Sequence, residues 1–176
     1  PAKAGIHSLI MQNQKGDVEL LYGIDLELQP AKLLEEEDAW SRTITVSHMP
    51  LHGSKAWRKT GGTYAYGVDE LNGSIPIAHI RHPVYCRRIS LEYLGGSEFK
   101  VKCDLFLALE AWGSGYDDVA ATIEFDAKFT GLDFQTQNFT KDTGIDDLNV
   151  FLANHINMAA YDELTVDDTI VNFTPI

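Results

Sequence analysis

The sequence is short of the residues that usually announce a function. It has two cysteines, Cys86 and Cys103, in 176 residues and no Cys-x-x-Cys pair, so a structural zinc site built on thiolates is excluded. No apolar run approaches the roughly 18 residues that span a bilayer, and no leader-like apolar stretch opens the chain. Bases are outnumbered, 14 Lys and Arg against 26 Asp and Glu, for a net charge of −12. That balance argues against bulk attraction to nucleic acid or to an anionic membrane surface, and neither is expected as a partner. Gly-x-Gly-x-x-Gly, Gly-x-x-x-x-Gly-Lys, Gly-x-Ser-x-Gly and His-Glu-x-x-His are all missing. The reading therefore leans away from catalysis, with no catalytic residue and no cofactor assigned.

What is present is a core. Apolar residues make up 44% of the chain, enough for one domain over 1–176. Residues 84–134 read as a three-strand antiparallel meander. Phe99, Val101, Cys103 and Leu105 alternate with Glu98, Lys100, Lys102 and Asp104, and Ile123, Phe125, Ala127 and Phe129 with Glu124, Asp126 and Lys128. Charge sets the register of the first hairpin. Placing Glu92 opposite Lys100 puts Arg88 opposite Asp104, whereas a two-residue slip opposes like charges. In the first of these strands Tyr85, Ile89 and Leu91 form the apolar set, which puts Cys86 on the wet face, away from Cys103. Thiols on opposite faces cannot be bridged, so both are expected reduced and the compartment cytoplasmic.

Upstream, residues 6–11 pair with an alternating strand over 18–28 through a turn at 13–16. Pro30 opens a short helix near 31–39, 41–49 reads as a strand, and so do 63–68 and 75–81. Downstream, Ile145, Leu148, Phe151, Leu152, Ile156 and Ala159 recur at helical spacing. They predict a helix over 146–160 lying on Val101, Leu105, Ile123 and Phe125, with a last strand over 164–173. The fold class is α+β, a mostly antiparallel sheet packed against one C-terminal helix.

Charge is unevenly distributed. Residues 42–88 carry seven bases and two acids, a net of +5, which leaves −17 on the rest; four of the six histidines lie there too. His48, His52, Lys55, Trp57, Arg58, Lys59, Arg81 and His82 are the candidate partner- or anion-binding set, expected exposed and converging within about one Debye length. The alternative is that these bases merely neutralise the acidic body. His48 with His52 and His79 with His82 have spacings at which imidazoles can bind zinc, but the signal is weak and no metal site is assigned: positions three apart on a strand face opposite ways, and no carboxylate lies close in sequence. A second, acidic face comprises Glu35, Glu36, Glu37, Asp38, Asp146 and Asp147, suited to a basic partner.

Three functions fit this pattern. The first is a non-catalytic acidic binding protein that engages a protein partner, as immunity proteins and antitoxins do by composition. The second is a small-molecule or anion-binding β-cup, an enzyme if it also carries chemistry. The third is a self-assembling structural subunit, a homo-oligomer joined by basic island against acidic body.

Overall fold

A computed structural model of the chain describes residues 3–12, 18–28, 43–51, 56–67, 72–77, 80–110, 115–135, 145–166 and 170–176. Within them the elements are β1 (Lys3–Gln12), β2 (Val18–Glu27), β3 (Thr43–Met49), β4 (Gly62–Ala65), β5 (Asn72–Ile77), β6 (Ile80–Gly95), β7 (Glu98–Leu107), β8 (Val119–Gln135), α1 (Ile145–His155), β9 (Tyr161–Val166) and β10 (Ile170–Pro175). The short helix expected near 31–39 lies outside the described residues.

The sheet is mostly antiparallel, and it closes. Its order runs β1-β2-β3-β5-β6-β7-β8, and β8 returns to pair with β1. That last pairing is parallel, with Ile6 beside Phe129 and Ile10 beside Phe134. Seven strands thus form a ring whose inward residues, one in every two, fill a shared core. Ile6, Ile24, Val46, Ile89, Val101 and Phe129 all point into it and are buried. The outer wall of the meander carries the charges, with Lys100 bonded to Glu124 at 2.9 Å and Arg88 to Asp104 at 3.0 Å.

The long strands change partners along their length. β6 pairs with β5 at its start and with β4 further on, by the same edge. β8 pairs with β7 over its first half, and beyond Gly131 takes β10 instead. Gly131 has φ +135°, and a Cβ there would lie 2.1 Å from the Phe173 carbonyl oxygen, so the bend requires glycine.

Most strand expectations hold. Residues 6–11 do pair with 18–28, and the meander keeps Arg88 opposite Asp104 and Glu92 opposite Lys100. Four differ. Of the strand expected over 75–81, residues 75–77 belong to β5 and 80–81 to β6, which pair with each other, and the last strand is two, β9 and β10. The helix is shorter than 146–160 and does not centre on the meander as expected. Leu152 and Ile156 are buried, but Phe151 meets Phe134 near the far end of β8, ring centroids 6.1 Å apart. Ring closure is the reason. The other strands of the ring already share the inner face of the meander, and the helix meets the core only through Leu152, Ile156 and Phe151.

The fourth difference is on β6. The register shifts between Cys86 and Arg88, so Arg87 is an extra, bulged residue. His82, Val84 and Cys86 face inward before the bulge, Ile89 and Leu91 after it, and Arg87 and Arg88 are both exposed. Cys86 therefore shares the inner face with Cys103, against the expected opposite faces; both are free and buried. Period-two counting assumes an unbroken ladder, and one inserted residue reverses its parity.

Candidate functional site

The two ends of β6 separate the residues that the sequence groups together. At one end a single 3-10 turn, Trp57–Lys59, leads into β4. Trp57 is not exposed as expected but 0% accessible. Its indole stacks on Phe129 (centroids 4.7 Å apart, 13° between planes) and meets Tyr93 edge-on. Its Nε1 donates to the Ala160 carbonyl at 3.4 Å. The turn is locked beneath it: Thr60 Oγ1 donates to the Trp57 carbonyl at 2.6 Å, and Tyr64 donates to the Thr60 carbonyl at 2.8 Å. Trp57 is the plug of the barrel rather than a contact residue.

Its neighbours are surface groups. Arg58 and Lys59 are exposed, and the Arg58 guanidinium lies 5.0 Å from the Trp57 ring centre while donating to the Ile176 carbonyl. Arg81 is exposed too, but at the opposite end of β6. Gly62, just after the turn, pairs with Leu91, and Arg81 pairs with Pro76. Ten residues of extended strand span roughly 30 Å, so the bases do not converge within a Debye length. His82 is the second correction: it is fully buried, on the inner face of β6, and neither ring nitrogen has a hydrogen-bond partner among the described residues. His52, Lys55, His79, Glu35, Glu36, Glu37 and Asp38 lie outside the described residues. His48 lies on β3, and Asp146 and Asp147 in the first turn of α1.

At the Arg81 end the outer wall carries a cluster that the sequence reading did not assemble. Tyr85 on β6 sits opposite Phe106 on β7, rings 6.3 Å apart, and Arg87 places its guanidinium 5.3 Å from the Phe106 ring centre. The bulge makes this arrangement, since it lets Arg87 face outward beside Tyr85's partner. Arg87 and Arg81 are exposed, Tyr85 and Phe106 half-buried. The rim beside them is apolar, with Ile80 38% and Val119 42% exposed. By contrast Arg88 and Lys100 are held by carboxylates of the wall itself. The bases thus divide: some neutralise the body, while Arg81 and Arg87 have no ion pair among the described residues. The only sequence signal for this site was the density of arginines in 81–88.

A His–Asp pair also went unread. His7 Nδ1 lies 3.4 Å from Asp25, whose other oxygen accepts from Thr45 at 2.8 Å. The imidazole packs over Gly23, where a Cβ would come within 2.3 Å of Nε2, so the pair ties β1, β2 and β3 together instead of addressing a cleft. An open groove of about 430 Å³ on the outer wall is lined by both signs of charge, including Glu92, Lys100, Lys102 and Glu124. No group of three or more metal-capable side chains occurs among the described residues.

The interior holds phenols. Tyr161 hydrogen-bonds Ser8, and burial pushes its pKa from 10.0 up to about 12. Burial also raises Tyr22, whose hydroxyl has no partner among the described residues, and Tyr64 and Tyr66 in the same direction. A pKa raised on folding contributes stability that is complete below the unfolded value and lost as pH rises through the folded one. The protein should therefore hold its melting temperature up to about pH 10 and lose it toward pH 12, with phenolate absorbance rising cooperatively with unfolding. Phenolate absorbance that saturates near pH 10 without loss of fold would contradict this burial.

No family model, curated protein or solved structure matches the chain significantly. Among the described residues no helix is long and apolar enough to cross a membrane.

Proposed function

We propose that the chain is a non-catalytic binding protein that engages a protein partner through the outer wall at the Arg81 end of β6. One observation carries this reading: two exposed guanidinium groups, Arg81 and Arg87, without carboxylate partners among the described residues, beside a half-buried Tyr85–Phe106 pair. Arginine and aromatic side chains dominate the energetic centres of protein interfaces, because they combine apolar area with directional hydrogen bonds. The cup reading draws less support, since Trp57, grouped in the sequence with the candidate binding set, is fully buried among core rings. The partner surface that fits is acidic at its centre with an apolar margin, matching Ile80 and Val119 at the rim.

The test is reversal of both arginines, Arg81→Glu with Arg87→Glu, read by salt-dependent capture of a partner and by melting temperature. Binding should fall by at least a hundredfold and association should slow, while the melting temperature moves by no more than a few degrees, because exposed charges contribute little to stability. Unchanged binding with an unchanged melting temperature sinks the reading and leaves these bases as neutralisers of an acidic body.

A further inference from the structure

We propose that Cys86 and Cys103 form a redox-active dithiol inside the barrel, oxidised by peroxide to an intrachain disulfide that staples β6 to β7. The argument begins with the bulge at Arg87, which turns Cys86 onto the inner face that Cys103 occupies by simple alternation. Cys86 is opposite Leu105 and Cys103 opposite Ile89, so the two are diagonal neighbours across the ladder. Both thiols are free and buried on that one face, and Cys86 Sγ donates to the Arg88 carbonyl at 3.4 Å, on the bulge itself. The ladder is already broken at that point, so the closing movement a disulfide needs falls where the backbone has slack.

The two sulfurs are not equivalent. Interaction with Cys103 holds Cys86 below its ordinary pKa, while the same interaction, with burial, holds Cys103 far above. In the scheme proposed, Cys86 is the attacking thiol and Cys103 resolves it. Cys86 gives up its proton and its sulfur attacks one oxygen of hydrogen peroxide; the O–O bond breaks, and the departing hydroxide takes the proton to leave as water. Cys86 is then a sulfenic acid. The Cys103 sulfur attacks it, the S–S bond forms as the S–O bond breaks, and the Cys103 proton goes to the leaving hydroxide as a second water. Two thiols and one peroxide become one disulfide and two waters. With both side chains at 2% exposure or less, a bulky disulfide cannot approach either sulfur, so the oxidant named is the small one, hydrogen peroxide.

Folded protein treated with hydrogen peroxide, quenched, then denatured and alkylated, should lose two hydrogens in intact mass and take up no alkyl group. Cys103→Ala should stop at the sulfenic acid on Cys86, trapped by dimedone, and Cys86→Ala should leave Cys103 as a free thiol; thermal melts check that both variants fold. If folded wild-type protein keeps both thiols alkylatable under peroxide that oxidises the denatured chain, the proposal fails. It fails equally if the mass gain is that of sulfinic acids with no disulfide. The wild-type measurement stands without the variants should either of them not fold.

Discussion

Trp57→Ala is expected to cost about 3–5 kcal/mol of folding free energy, the range for removing a fully buried aromatic side chain. The indole is enclosed by Phe129, Tyr93 and Phe99, and its N–H is spent on the Ala160 carbonyl. Truncation loses the transfer energy of the ring, opens a void at the barrel end and leaves the Ala160 carbonyl with one donor fewer. The neighbouring rings cannot collapse into that void, because Phe99 is held in the β7–β8 ladder and Phe129 beside Ile6 of β1. For a chain of this length each kcal/mol shifts the melting temperature by roughly 2–4 °C, so a fall of roughly 6–20 °C is expected. Trp57→Phe should recover much of it by keeping the stack on Phe129. An exposed Trp57, as its basic and glycine-rich surroundings suggest, would give a change of about 0.5 kcal/mol or less. Urea denaturation of the two variants separates these outcomes.

Gly131→Ala should be nearly as damaging, although it adds a single methyl group. Gly131 holds φ +135°, which side-chain-bearing residues adopt only with strain, and the new Cβ would sit 2.1 Å from the backbone oxygen of Phe173. Backbone strain alone costs about 1–3 kcal/mol, and a clash with backbone cannot be relieved by a rotamer change. The expected total is on the order of 3 kcal/mol, concentrated where β8 hands over from β7 to β10. Amide exchange should show it there first, with protection lost in β10 around Asn172 and Phe173 before β6 and β7 are affected. Gly96→Ala is the control: its φ is also positive, at +57°, but nothing lies within 4 Å of the added Cβ. It should cost about 1 kcal/mol. Equal effects at both positions would mean that the β8–β10 approach is not close.

The candidate interface was half legible. Arg81 and Arg87 stand out in the sequence as part of a basic segment in an acidic chain, and charge density needs no structure to be counted. Their aromatic floor was not legible, since Phe106 is 19 residues beyond Arg87 and they meet only through pairing of β6 with β7. Trp57 and His82 were grouped with the exposed bases on composition, and composition carries no information on which way a side chain points. The acidic face at Glu35, Glu36, Glu37 and Asp38 rests on the sequence alone.

By itself the sequence determined whatever is local or paired at short range. Alternation put Phe99, Val101, Cys103 and Leu105 inside, because successive side chains on a strand leave by opposite faces. Opposite charges chose the β6–β7 register, because a slip would set like charges against each other. The β1–β2 hairpin followed from two alternating runs and the turn between them. Tertiary structure alone decided the closure, in which Ile6 lies beside Phe129, 123 residues away, as no local pattern can specify. It decided the bulge at Arg87, since an extra residue is stored where the twist of a closed ring demands it, and with the bulge came the turn of Cys86 toward Cys103. It also decided the place of Trp57: only a closed barrel has an open end, and that end takes the largest apolar side chain within reach, whatever charges flank it.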